Sequence, residues 1–158
     1  MKLRNVSIVM VLLLVVSLAL AGCGDPVAAD IKNFDKSCMK VTDAMAEVER
    51  SLSNVSASNA SQLLIENSEK IESIKKEIEA IEVKTDELKS VSSLLVEGLG
   101  LIAEGSRTMG EQSKDPENAD LKVVEDAQNK LQKGMELFSE FATKYEALAK
   151  EHGLEVRK

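Results

Sequence analysis

Tryptophan is absent, and the aromatic set amounts to one Tyr and three Phe in 158 residues. Carbohydrate platforms and base-stacking surfaces both need more aromatic area than that. Histidine occurs once, at His152, and cysteine twice, at Cys23 and Cys38. That supply cannot build a His/Cys metal cluster, and no Glu-x-x-His pair exists for a di-iron bundle. It also lacks the Cys-x-x-Cys-His of covalent haem attachment. No serine has a histidine base in a plausible constellation, so hydrolase triads have no foundation. Proline appears only at Pro26 and Pro116, and strand-type alternation is missing. The chain is instead rich in Ala, Leu, Glu and Lys, which predicts an all-α fold.

What is present begins with a leader. Lys2 and Arg4 form a basic start, and Ile8 to Ala21 is an apolar run interrupted only by Ser17. The run is shorter than the roughly 20 residues that span a bilayer. Leu20-Ala21-Gly22-Cys23 closes it with small residues, as a processing site does. The tetrad resembles a lipobox, and the first 25 residues as a whole are similar to the leader of bacterial lipoproteins. The resemblance implies a signal peptide over 1–22, cleavage between Gly22 and Cys23, and a diacylglyceryl group on the Cys23 sulfur. Residues 23–25 would then be the lipidated tether of a mature chain of 136 residues.

Removing the leader takes away two basic residues and no acidic one. The mature body would carry 18 basic against 27 acidic side chains, a formal charge of −9. So acidic a body should not bind nucleic acid or an anionic headgroup surface through charge. Lipid must hold it to a membrane, since each buried CH₂ contributes roughly 0.8 kcal/mol and two chains make attachment stable. With Cys23 taken by lipid, Cys38 has no intramolecular disulfide partner, and packing alone must stabilise the exported domain.

Asp25-Pro26 and Asp115-Pro116 each read as a helix start, the Asp capping amides and the Pro occupying the first helical position. From the first, Ile31, Phe34, Cys38, Val41, Met45, Val48, Leu52 and Val55 fill a heptad without polar interruption, predicting a helix over 26–55. Asn59 and Gln62 resemble a capping box before a helix over 59–83 with Leu64, Ile71, Ile74, Ile78 and Ile81 inward. Glu66–Lys70 and Glu72–Lys76 have the spacing of solvent-face ion pairs. No Gly or Pro interrupts residues 83–86, so one helix over 59–112 is an alternative. Thr85 could instead cap a new helix over 85–112, and segment lengths favour that turn. In that helix Gly98 and Gly105 lie on one side, where a neighbour could approach closely. A last helix over 116–152 would bury Leu121, Val124, Leu131, Met135, Phe138, Ala142, Tyr145 and Ala149, ending at His152-Gly153.

The expected architecture is an up-down-up-down antiparallel four-helix bundle over 26–153 with a tail over 154–158; the alternative is an elongated three-helix bundle. An even number of antiparallel helices returns the C-terminus to the starting end, placing Glu155 beside Val27. Cys38 is expected to be an inert core thiol, and His152 to complement the helix dipole. The functional expectation is a non-enzymatic envelope lipoprotein without cofactor. It would face the exported side of the inner or outer membrane, held by lipid on Cys23 and engaging an envelope protein partner. The alternative is a bundle that holds a hydrophobic ligand or haem, resembling cytochromes of the b562 type, with Met39 or Met45 and His152 as ligands. Arg157-Lys158 resembles the end of the peptidoglycan-linked outer-membrane lipoprotein, but Val156 replaces the Tyr that precedes it there.

Overall fold

The computed structural model describes residues 16–17, 24–54, 56 and 58–156. Four long helices carry the structure: α1 Pro26–Leu52, α2 Ala60–Glu79, α3 Asp86–Gln112 and α4 Leu121–Glu151. A 3₁₀ turn over Pro116–Asn118 precedes α4. Two short strands, β1 Val16–Ser17 and β2 Glu155–Val156, pair antiparallel. The lipobox tetrad and Val55 lie outside the described residues, as do the side chains of Val41 and Leu52.

The helices alternate in direction. Ser51 on α1 meets Asn67 on α2, Arg107 on α3 meets Ser68 on α2, and Lys130 on α4 pairs with Glu104 on α3. Tyr145 on α4 reaches back to Ile31 and Asp35 at the start of α1. Opposed residue numbers at every contact define the up-down-up-down bundle. The chain turns after Glu79 and restarts at Asp86, which rules out the continuous helix over 59–112. Val27 and Leu154 are both buried at the end where α1 begins and α4 finishes.

The core is a continuous apolar cluster. It runs from Ile31, Phe34 and Met45 through Ile71, Ile74 and Ile78 to Leu88, Leu95, Leu99, Phe138, Phe141 and Tyr145. Phe141 stacks on Tyr145 at a centroid distance of 5.3 Å, and Phe34 tilts against the same ring at 5.8 Å. The few aromatics are thus concentrated at one level of the bundle, where each adds area and ring–ring attraction.

Helix starts differ from the sequence expectation in an instructive way. Asp25 does cap α1, its Oδ1 accepting from the amides of Val27 at 2.9 Å and Ala28 at 3.1 Å. Asp115-Pro116 yields only the 3₁₀ turn, and Asp120 caps α4 through the amides of Lys122 and Val123. Of the residues expected inward on α4, Phe138, Tyr145 and Ala149 are buried and Leu131 packs against the core. Leu121 is 81% exposed and Met135 44% exposed, and Ala127, Leu137, Phe141 and Leu148 are buried in addition. Asn59 is no capping box either: its Oδ1 accepts from the Ser56 amide and hydroxyl within the preceding loop, and Gln62 bonds Glu66. The α2 ion pairs also differ from the expected spacing. Lys75 takes both Glu72 and Glu79, and Lys70 reaches Glu47 on α1.

Gly98 and Gly134 put α3 and α4 almost backbone to backbone. A Cβ on Gly134 would meet Ile102 Cγ1 at 2.7 Å and the Gly98 carbonyl oxygen at 2.8 Å; one on Gly105 would meet the Ala127 carbonyl at 2.8 Å. A carbonyl cannot rotate away as a side-chain tip can, so this seam admits hydrogen only. Gly134→Val should therefore lower stability by about 1–3 kcal/mol, the usual cost of overpacking. Gly100→Ala serves as the counter-test, because its Cβ meets only the flexible Lys75 chain at 3.5 Å. Helix propensity should make that variant more stable by up to about 1 kcal/mol. Thermal unfolding followed by circular dichroism distinguishes the two, and equal melting points would contradict the seam.

Candidate functional site: the tether end

Three polar fasteners gather at the end of the bundle from which the tether leaves. The first joins the two ends of the bundle. Asp25 offers Oδ1 to the α1 amides and turns Oδ2 to His152 Nδ1 at 2.7 Å. The hydrogen bond with His152 is the main reason the Asp25 carboxyl sits below its ordinary pKa of 3.8, and the Ala28 amide adds to it. His152 is therefore more than a dipole complement: it ties the last turn of α4 to the first residue before α1.

The second fastener is Asp30, a carboxylate only 6% exposed. Its Oδ2 accepts from the Lys84 amide at 2.9 Å, the Thr85 amide at 2.9 Å and the Thr85 hydroxyl at 2.8 Å. Burial by itself would raise the Asp30 pKa, but the bonds from Thr85 and Lys84 outweigh it and leave the carboxyl below its ordinary value. Thr85 does not cap its own helix through its side chain; it is the ligand of a carboxylate from α1. Hydrogen bonds to a charged acceptor are the strong kind, each contributing about 1.5–3 kcal/mol.

The third is Tyr145, 2% exposed, whose hydroxyl donates to Asp35 and lies 3.5 Å from the Ile31 carbonyl. Burial, reinforced by the Asp35 charge, pushes the phenol far above its ordinary pKa. Cys38 sits one turn beyond Asp35. It is half-buried, at the edge of the core instead of fully inside it. Burial chiefly, with Asp35 adding, pushes its thiol up to about 12.

These positions separate the ligands named for the haem alternative. Met39 is 58% exposed and Met45 is buried in the core. Twenty residues of helix separate Met45 from Asp25, the partner of His152, about 30 Å at 1.5 Å per residue. Neither thioether shares a site with His152. Among the described residues no group of three His, Cys, Asp or Glu side chains could hold a metal, and no helix is long and apolar enough to cross a membrane.

The fasteners carry two consequences. Carboxylates with depressed pKa values contribute stability above the unfolded value of 3.8, and it is lost as pH falls through the lower folded value. Unfolding free energy measured against pH should hence be flat from 7 to 5 and fall in acid below 4. Asp30→Ala should lose about 2–3 kcal/mol at pH 7 and show a shallower acid decline, whereas an unchanged acid limb would remove Asp30 from the account. Cys38, protonated at neutral pH, should react slowly with maleimide in native Cys23→Ala protein and rapidly in denaturant. Fast native labelling would contradict its placement.

Residues 4–87 match the family of EMYY-motif containing lipoproteins. The match takes in most of the leader, α1, α2 and the turn that Asp30 holds. No curated protein and no solved structure matches the chain. A Glu-Met-Tyr-Tyr tetrad does not occur here, the chain having a single tyrosine, so membership rests on the extended match of leader and first two helices. That match spans just over half of the chain: this chain belongs to the EMYY-motif containing lipoproteins of bacteria.

Proposed function

We propose that the protein is a non-catalytic bundle tethered by lipid on Cys23, serving protein–protein interaction or structural support in the cell envelope. The observation that carries this reading is the Asp25–His152 clasp at 2.7 Å. Asp25 is only two residues from the proposed lipidated cysteine, so both ends of the bundle would meet at the bilayer and the loops 53–59 and 113–120 would face away from it. Such a body presents its length outward from a single attachment point. At a formal −9 it is repelled by anionic headgroups, which favours an upright posture over one lying on the surface. The exported side of the inner or outer membrane is the compartment a lipobox implies.

The chemistry of the chain supports a non-enzymatic role. Its only histidine is engaged with Asp25, and the Cys38 thiol is held protonated. Asp25 and Cys38 are thirteen residues apart along α1, about 20 Å at 1.5 Å per residue, so the histidine and the thiol form no nucleophile–base pair.

Growth with radioactive fatty acid tests the tether. The wild-type protein should carry label and fractionate with membranes. Cys23→Ala should carry none and remain at its precursor mass, because the thioether donor is gone. Label in that variant would refute the anchor.

A further inference from the structure

An open groove of about 690 Å³ runs along the outer crease between α2 and α3. Its walls are Ile78, Ile81, Val83, Val96 and Leu101, and Gly100 leaves the far part of the crease without a side chain. Lys75, Glu79, Lys89, Ser92, Ser93 and Glu97 share the lining; Lys75 pairs with Glu72 and Glu79, and Lys89 with Asp86. Most of the surface exposed inside the groove is apolar, between charged and polar rims. Small-molecule sites of this character hold apolar ligands, with volumes of about 300–1,000 Å³.

Position selects the occupant. Val83 belongs to the turn that Asp30 holds through Lys84 and Thr85, so the groove opens at the tether end. Cys23 lies two residues before Asp25, at most about 7 Å of backbone away. The acyl chains of a lipidated Cys23 therefore start at the end where the groove opens. The groove follows α3 from Lys89 to Leu101, twelve residues and about 18 Å. One leaflet of a hydrocarbon core of about 30 Å is spanned by a chain of about 15 Å. Length and point of entry agree.

We infer that the α2–α3 groove seats one acyl chain of the protein's own anchor. The inference rests on lipidation of Cys23. A chain seated in the groove covers apolar surface of Ile81, Val83, Val96 and Leu101 that otherwise meets water, which favours the exchange, while the side of the chain that faces out of the open groove opposes it. The remaining chain or chains stay in the membrane.

Metabolic incorporation of a fatty acid bearing a diazirine, followed by irradiation of the full chain in native membranes, tests this. Peptide mass spectrometry should find intramolecular adducts between the Cys23 peptide and residues 78–83 or 96–101. Gly100→Leu fills the groove at a position where a Cβ meets nothing closer than the Lys75 chain at 3.5 Å. It should lower those adducts about tenfold, or 1.4 kcal/mol of occupancy, with no fall in melting temperature. Adducts confined to membrane lipid, or spread over α1 and α4, would overturn the inference while leaving the tether intact. Absence of the probe mass from Cys23 would overturn both readings together.

Discussion

One buried carboxylate decides the shape of this molecule. Between Ala60 and Gln112 no proline intervenes and the first glycine is Gly98, and helix propensity alone would allow a single rod of over 50 residues. Asp30 prevents that by accepting three hydrogen bonds from Lys84 and Thr85. An Asp buried without partners would cost several kcal/mol; the amides freed by interrupting the helix are what satisfy it. Break and carboxylate need each other. With the break, α3 can return beside α2, α4 can return beside α3, and the chain ends where it began. Without it, His152 could not reach Asp25.

The difference between what was legible in the sequence and what was not follows from the range of the interactions. Apolar periodicity over α1 and α2 identified most of what those helices give the core, Ile31, Phe34, Met45, Val48, Ile71, Ile74 and Ile78, because a heptad is a local signal that burial reads directly. Gly98 and Gly105 were recognisable as a close-approach face, whereas Gly134, their counterpart, has no pattern of its own and acquires meaning only opposite Ile102 and Gly98. The start of α4 differs from the expectation because Asp115-Pro116 looks like a start and Asp120-Leu121 does not, yet Asp120 makes the cap, and Leu121 falls in the exposed first turn. The turn at Thr85 was inferred from segment lengths, and its cause was invisible: the residue that enforces it is 55 positions away. Asp30 and His152 carry no local mark of their roles.

The distribution of fasteners along the bundle is uneven. Asp25, Asp30 and Tyr145 stitch α1 to α3 and α4 near its beginning. Toward the other end α1 meets α2 through Ser51 and Asn67, at 2.6 Å, and through the exposed pair Glu47–Lys70. Exposed ion pairs contribute little. Further along, Arg107 reaches Ser68 between α3 and α2, and Lys130 pairs with Glu104 between α4 and α3.

Gly24 has φ of +137° and nothing within 4 Å of where a Cβ would stand. It is the only residue between Cys23 and the clasped Asp25, in a backbone geometry that other residues rarely adopt. With lipid on Cys23, as proposed, it would be a one-residue joint between the anchor and a lever arm roughly 40 Å long, the height of a 27-residue helix. A lateral load on the far loops would then reach the membrane as torque on two dihedral angles, and the post could tilt without any helix having to bend.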